Sequence, residues 1–418
     1  MKILKKTQSD VALAIEPDAK MTSFQKSSFQ ENIKFFIIIG QCFGLMPLEG
    51  ITNKNVRELK FTWKSWKFLY CLYNISGAFV TMIFCCIKFT MYGLTIDELA
   101  PFMFYVWNFF AGVQMIQICR NWTHLLKEWS IVEMSMRNYS FIFNLKRKFV
   151  SISLLVMTIA LTEHILFITN AVIDATHCSN FNEMGFEIYF RMAFPHYFKV
   201  VPFSVAMAIF SEIANILCTF TWNYTDIFII LICTSLTARF TQINRRLKYN
   251  KAMHEQFFKE VRIDYNRLTH LTYVVDKLIS PLVMVSYIDN IIFLCIQLYQ
   301  SLKERSGPVE TLYFFYSFGF LVLRTITVSM YGAWLYDATK KPLRYLCSVP
   351  SEYYCNEVDR FVQQVASTRV GISGSRFFIL NRTFLLRMAG TIITIELMIF
   401  QFGPKIDNSV SYIDKCVQ

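Results

Sequence analysis

The chain has 418 residues, of which 54% are apolar and 17% aromatic, whereas only 17% are charged, against about a quarter in soluble domains. One water-soluble core cannot hide so much apolar surface, and 14 glycines with 10 prolines exclude collagen-like and low-complexity chains. The remaining class is an all-α multi-span membrane protein. The net charge of +12 would suggest nucleic-acid binding in a soluble protein, so the location of the positive residues has to decide its meaning.

Seven apolar stretches approach or exceed the roughly 20 residues that a spanning helix needs. In chain order they are 68–92, 99–119, 149–173, 202–236, 278–302, 311–336 and 384–402. An eighth, shorter run at 35–48 has basic residues on both sides, so we interpret it as a re-entrant or interfacial element, whose Gly40 and Gly44 have the spacing of a helix contact. The predicted regions are an amino-terminal segment (1–67), six spans (68–336), a cytoplasmic segment (337–383), the seventh span (384–402) and an extracellular tail (403–418).

The positive residues assign the orientation of these spans. With a cytoplasmic amino terminus, 34 Lys and Arg residues lie inside, 6 lie outside, and only Lys88 and Arg324 lie within spans. The positive-inside rule therefore predicts a cytoplasmic amino terminus and an extracellular carboxyl terminus, and the charge excess is no sign of nucleic acid. A seven-helix G-protein-coupled receptor would need the opposite orientation. A secondary transporter is disfavoured because the spans do not divide into matching halves.

Nothing in the sequence points to catalysis. The six histidines are scattered, and no metalloprotease, nucleophile-elbow or phosphate-loop motif occurs. Most of the 12 cysteines lie in apolar runs without metal-ligand spacing. We therefore expect no enzyme activity, metal or cofactor, and a disulfide between Cys178 and Cys416 on the outer side is left open.

Polar side chains recur on single faces of several spans, where they are costly and are candidates for function. The fourth span places Glu212, Asn215 and Asp226 on one helix face, and the fifth does the same with Asn290 and Gln297. Carboxylates, amides and aromatic rings together bind neutral polyols, because they pair with hydroxyl groups and cover the apolar C–H face. The predicted ligand-binding residues are Trp107, Asn108, Glu163, His164, Glu212, Asn215, Asp289, Asn290 and Gln297. The alternative is that these groups form ordinary interhelical hydrogen bonds.

Two further charges in the spans need partners. Arg324 lies in the sixth span and Glu396 in the seventh, and the candidate partners of the arginine are Asp226, Asp289 and Glu396 itself. A structural ion pair and a role in ligand binding or gating both remain open at this point.

The seventh span carries a stripe of small and polar residues, Thr391, Thr394, Met398 and Gln401. Repeated around a symmetry axis, this stripe could line a pore with an apolar and amide constriction, although an interhelical seam explains it equally well. Residues 239–277 show apolar side chains at helical spacing, which predicts a cytoplasmic amphipathic helix that continues the fourth and fifth spans.

The residues resemble those of the insect gustatory receptors, and within them the sweet-taste clade. The family's closing signature, Thr-Tyr, five mostly apolar residues and Gln-Phe, stands here as Thr394 to Phe402 with Ile395 in place of the tyrosine. Other matching stretches are Gly40 to Pro47, Asn290 to Leu298, Phe318 to Leu321 with Arg324 and Thr325, Lys341 to Arg344, and Glu357 to Phe361.

The resemblance implies a tetrameric, ligand-gated, non-selective cation channel with the insect chemoreceptor fold. It implies a ligand pocket for a mono- or disaccharide within the first six helices of each subunit and a plasma-membrane location in a gustatory neuron. The seventh helices would line the pore at Thr394, Met398, Gln401 and Phe402. The partners would be the sugar, membrane lipid and identical or related subunits.

Overall fold

The computed structural model describes residues 28–51, 59–93, 96–139, 144–178, 185–249, 254–301, 305 and 307–402. The helices are α1 (Phe29–Cys42), α2 (Trp66–Tyr92), α3 (Ile96–Arg120), α4 (Trp122–Ser135), α5 (Leu145–Cys178), α6 (Gly185–Ala193), α7 (Pro195–Phe198), α8 (Val205–Tyr249), α9 (Glu255–Ser301), α10 (Pro308–Lys340), α11 (Pro342–Leu346), α12 (Asn356–Ser367) and α13 (Arg382–Phe402). Two antiparallel pairs complete the described part, β1 (Leu48–Glu49) with β2 (Lys60–Phe61) and β3 (Ser373–Gly374) with β4 (Phe378–Ile379). A 3-10 turn covers Ser351–Tyr353.

Six of the described helices are long and apolar enough to cross a membrane: α2, α3, α5, α8, α9 and α10. The seventh predicted span is the 21-residue helix α13. Each helix extends beyond one end or both ends of the apolar stretch that predicted it, most of all α8 with 45 residues and α9 with 47. The multi-span helical fold is confirmed. At 1.5 Å per residue, α8 and α9 are each more than twice as long as a 30 Å hydrocarbon core, so both helices extend beyond the membrane.

Helix α8 is the centre of the bundle. All residues from Asn223 to Leu236 are buried, and the apolar ones among them belong to the main hydrophobic core. A helix that is buried on every side requires apolar residues around its whole circumference. The few polar groups in this stretch must therefore find partners on neighbouring helices.

The short run predicted at 35–48 is a helix that begins and ends earlier than expected. Ser28 caps α1 through its hydroxyl, which accepts a bond from the Glu31 amide, and the helix ends at Cys42. Gly44 then adopts a φ of +68°, a value that favours glycine. At Gly40 the chain packs so closely on Tyr224 that a Cβ atom would lie 2.5 Å from its ring. The location of this segment relative to the membrane stays a prediction.

The extensions of α8 and α9 carry ion pairs with the elements around them. Arg239 pairs with Glu133 of α4 at 2.6 Å, and the same carboxylate accepts a bond from the Phe29 amide. Arg262 of α9 pairs with Glu357 of α12 at 2.9 Å. Phe257, Val261, Leu268, Leu271 and Val275 are buried as their helical spacing predicted. The amphipathic pattern at 239–277 therefore forms an intrasubunit core.

The base of α13 is held by α9 and α10. The ring of Phe384 stacks on Phe378 at 4.2 Å, and Tyr287 of α9 lies 5.3 Å from Phe384 and donates or accepts a 2.8 Å hydrogen bond with Ser329 of α10. Beyond this base α13 is largely bare, since Leu386, Leu397 and Met398 are more than half exposed. A spanning helix with such a surface needs lipid or further subunits around it.

Gly332 allows the chain just before α13 to pack closely against α10, and replacing this glycine tests that packing. A Cβ atom at Gly332 would overlap the side chain of the fully buried Leu380, whereas Gly319 on the same helix has no atom within 4 Å of that position. We expect Gly332→Ala to destabilise the fold by about 1–3 kcal/mol, measured as a lower thermal unfolding midpoint in detergent. Gly319→Ala is the matched control, and equal midpoints for the two variants would contradict the packing.

Candidate functional site

The guanidinium of Arg324 is the centre of a buried polar cluster between α8, α9 and α10. Its Nε lies 2.8 Å from Oδ2 of Asp226, and its two terminal nitrogens donate to Asn223 Oδ1 at 2.9 Å and Asn290 Oδ1 at 3.0 Å. Ser286 donates to the other Asp226 oxygen at 2.5 Å. The sequence had left the partner of Arg324 open between three carboxylates, and the structure assigns Asp226.

Aromatic rings cover this cluster on one side. The Arg324 carbon Cζ lies 4.0 Å from the centroid of Trp222, a cation–π distance. Trp222 in turn contacts Phe293 at 4.9 Å and Phe104 at 5.8 Å between centroids. A charge that is paired, hydrogen-bonded and stacked in this way is stable inside a membrane.

A second polar group lies about two helical turns from the first. Ser317 of α10 donates to Glu163 of α5 at 2.5 Å and accepts a bond from Gln297 of α9 at 3.2 Å. Gln297 and Asn290 are seven residues apart on α9, as are Ser317 and Arg324 on α10, so each pair spans about 10 Å. The two antiparallel helices thus form a ladder with Asn290 opposite Arg324 and Gln297 opposite Ser317.

The third polar group joins α5 to α8. His164 Nε2 lies 3.9 Å from Glu212 Oε1, and the other Glu212 oxygen accepts a hydrogen bond from Tyr189 of α6 at 3.1 Å. Since His164 follows Glu163 directly, α5 brings this group beside the Ser317 group. The rings of Phe167 and Phe220 lie 6.1 and 6.5 Å from that of His164.

Six of the nine predicted ligand residues carry a buried polar atom that has no hydrogen-bond partner among the described residues. These atoms are Trp107 Nε1, Asn108 Oδ1, His164 Nε2, Glu212 Oε1, Asp289 Oδ1 and Gln297 Oε1. Buried polar atoms are nearly always satisfied in proteins, and each exception calls for water or a ligand. The arrangement can therefore offer donors and acceptors to a polar molecule within the bundle.

The predicted ligand residues differ in the other contacts that they make. Asn290 is engaged with Arg324, and Asp289 lies within electrostatic reach of the same guanidinium. Asn108 donates to the Phe104 carbonyl of its own helix, and Trp107 is half-buried. Asn215 is half-buried, and no described contact of its side chain joins it to the three groups. The assignment of all nine residues to one pocket stays a prediction.

Sequence reasoning missed Ser317, Trp222 and a further polar group that contains Lys88, Glu98 and His196. Ser317 shares a helix face with Arg324, a spacing that could have indicated it. Lys88 of α2 pairs with Glu98 of α3 at 2.7 Å, and both ring nitrogens of the buried His196 are unpartnered among the described residues. Burial, with Lys88 as a second cause, lowers the pKa of His196 to about 3, so this imidazole is neutral. Long-range pairs of this kind leave no periodic signal.

Three of the four predicted pore residues lie on the exposed face of α13. Thr394, Met398 and Gln401 are exposed, and the helix ends at Phe402. Glu396 is half-buried, near Cys295 of α9, and its Oε2 has no hydrogen-bond partner among the described residues. Cys416 and the predicted tail at 403–418 lie outside the described residues.

This architecture is the fold of an insect chemoreceptor. The chain is similar to the olfactory receptor OR5 from Machilis hrabei in complex with eugenol, with a TM-score of 0.63 and 15% identity over 88% of this chain and 97% of that one. The same receptor without eugenol gives a TM-score of 0.61. The chain is a multi-pass helical membrane protein of that fold.

The chain belongs to the trehalose receptor family, whose model matches residues 14–413. It is 31% identical to the Drosophila melanogaster gustatory receptor for sugar taste 64b, over 90% of this chain and 95% of that one. It is 30% identical to gustatory receptor 5a for trehalose from the same insect, over 90% and 85% of the two chains. The predicted membership of the sweet-taste clade of insect gustatory receptors is confirmed.

The pairing of Arg324 with Asp226 can be tested by removing one charge and then both. Arg324→Met leaves a buried carboxylate without its cation, so we expect a loss of about 3–5 kcal/mol of folding stability, measured as a lower thermal unfolding midpoint in detergent. Arg324→Met with Asp226→Leu removes both charges and should regain part of that loss. A double variant less stable than Arg324→Met alone would contradict the pairing.

Proposed function

We propose that this chain is a subunit of a sugar-gated, non-selective cation channel in the plasma membrane of taste neurons. The observation that carries the proposal is the set of unpartnered buried polar atoms on six of the nine predicted ligand residues. The names of the relatives support the same ligand class, since they are described as receptors for sugar taste and for trehalose.

The chemistry of these atoms suits a mono- or disaccharide. The carboxylate and amide oxygens of Glu212, Asn108 and Gln297 accept hydrogen bonds from sugar hydroxyls, and the Trp107 indole donates one. The rings of Trp222, Phe104 and Phe293 pack on one another and belong to the same helices as these polar residues. We expect them to cover the apolar face of a pyranose. An anionic ligand would fit less well, because Arg324 is already neutralised by Asp226.

The bare face of α13 supports a pore formed by several copies of the chain. Thr394, Met398 and Gln401 face away from the rest of the subunit, so four such helices around an axis would present them to a common path. No charged ring is expected among these residues, and the constriction would be of apolar and amide groups. The tetramer consists of identical or related subunits.

Helices α9 and α10 connect the proposed sugar pocket to the proposed pore helix α13. They carry Asn290, Gln297, Ser317 and Arg324 of the polar cluster, and they also hold the base of α13 through Tyr287 and Ser329. A sugar that binds better to the open arrangement of α9 and α10 than to the closed one would shift the population of open pores. A G-protein-coupled receptor and a transporter remain disfavoured by the charge asymmetry and the missing repeat.

The pocket can be tested at Gln297 by current recording from cells that express the receptor. Gln297→Leu removes an amide oxygen that has no partner among the described residues, so the sugar loses one hydrogen bond and the half-maximal concentration should rise about tenfold. Glu163→Gln should act in the same direction because it alters the neighbouring Ser317 hydroxyl. The measurement is a sugar panel with surface expression checked for each variant.

The matched control for Gln297→Leu is Gln117→Leu, which changes the same residue type at an exposed position of α3. It should leave the dose–response curve unchanged. If Gln297→Leu responds to every sugar like the unaltered receptor, Gln297 is not a ligand residue, even if the channel function is correct.

The pore can be tested at Gln401. Gln401→Glu would place four carboxylates at the constriction of a tetramer, and rings of carboxylates favour cations, above all divalent ones. We expect the reversal potential to shift towards a higher calcium permeability, measured under bi-ionic conditions. Gln401→Asn keeps the ring neutral and should leave the selectivity unchanged. Equal reversal potentials for the two variants would show that Gln401 does not line the pore.

A further inference from the structure

An exposed patch of two tryptophans and two basic residues precedes and flanks the first spanning helix. We define this basic aromatic patch as Trp63, Lys64, Trp66 and Arg120. Trp63 is 55% exposed and Trp66 80% exposed, and both cations are exposed as well. Tryptophan is rarely left so bare in water, because its large ring is normally covered.

The patch is held in a defined shape. Trp63 packs edge-on against Phe61 and Phe68, each at 5.0 Å between ring centroids, and the Arg120 guanidinium carbon lies 5.4 Å from the Trp63 ring. The neighbouring Lys67 is used elsewhere, since its ammonium donates to Gln41 and to the Leu48 carbonyl. Arg120 therefore lies beside a fixed indole, and Lys64 follows that indole directly in the chain.

The patch continues into a bare apolar stripe along α2. Trp66 is the first residue of this helix, and Leu69 and Tyr73 follow it at offsets of three and four with 52% and 38% exposure. These residues share one helix face. A spanning helix presents such a face to acyl chains, so the tryptophans lie at the level of the lipid headgroups, where indoles concentrate.

Neither Lys64 nor Arg120 forms an ion pair with a carboxylate in the described part of the chain. The charge asymmetry of the sequence puts this end of α2 on the cytoplasmic side, and the cytoplasmic leaflet is the one that carries anionic lipids. The two unpaired cations, the expected depth of the tryptophans in the membrane and the adjoining apolar stripe on α2 all fit an anionic lipid.

We propose that the basic aromatic patch binds the headgroup of an anionic phospholipid of the cytoplasmic leaflet, with an acyl chain along Leu69 and Tyr73. Lys64 and Arg120 contact the phosphate and the acidic headgroup, and the indoles of Trp63 and Trp66 lie at the glycerol level. The proposal does not depend on the sugar ligand, because the patch shares no residue with the polar cluster.

The test is native mass spectrometry of the purified full-length receptor in detergent, titrated with phosphatidylserine or phosphatidylcholine. Each basic residue at a membrane surface is worth about a fivefold gain in binding of anionic lipid. We expect Lys64→Gln with Arg120→Gln to weaken the tightest phosphatidylserine site about 25-fold and to leave phosphatidylcholine binding unchanged. Trp66→Ala should weaken the same site with all charges retained.

The matched control is Lys146→Gln with Arg147→Gln, which removes two exposed cations at the start of α5. It should retain the tightest phosphatidylserine site. An equal loss in both double variants, or equally tight phosphatidylcholine binding, would overturn the proposal in favour of unspecific charge or ordinary lipid contact. Displacement of phosphatidylserine by millimolar inorganic phosphate, or crosslinking of Lys64→Cys between subunits, would assign the patch to a free anion or to a second copy.

Discussion

The ion pair between Arg324 and Asp226 is the constraint on which the rest of the bundle depends. A guanidinium within the membrane is stable only where a carboxylate neutralises its charge and neighbouring oxygens accept its hydrogen bonds. Here the partners come from α8 and α9, while the arginine itself belongs to α10. The relative positions of three spanning helices are thereby determined at one level, and the ladder from Asn290 and Arg324 to Gln297 and Ser317 follows from that register.

The same three helices separate a satisfied region from an unsatisfied one. Around Arg324 the Asp226 carboxylate and the two amides contact the guanidinium, so this part of the cluster acts as structure. Oδ1 of the neighbouring Asp289, however, has no hydrogen-bond partner among the described residues. About two helical turns away the oxygens of Gln297 and Glu212 and the nitrogen of His164 have no partner among the described residues. Polar atoms without partners are costly for stability, and proteins retain them where a ligand or water supplies the missing bonds. The proposed sugar pocket uses this region and leaves the ion pair intact.

Much of the fold was predictable because the membrane imposes simple rules on sequence. Apolar length predicted the spans, and the helical spacing of Phe257, Val261 and Leu268 predicted their buried face. Helix faces also placed Asn290 and Gln297 together. The partner of Arg324 could not be chosen, because three carboxylates lay at suitable depths and the choice depends on helix packing. Ser317 and Trp222 escaped notice because a serine and a tryptophan within an apolar span look like ordinary packing residues.

The sequence by itself determined the class of protein, the number and order of its spans and its family, since these depend on composition, length and local motifs. The charge asymmetry adds a predicted orientation that rests on sequence alone. Only the tertiary structure decided which polar groups pair and which remain unpartnered, and that α13 is bare while α8 is enclosed. The physical reason is that hydrogen bonding and burial depend on distances between residues far apart in the chain, such as the 101 positions that separate Asn223 from Arg324, and no local pattern encodes them.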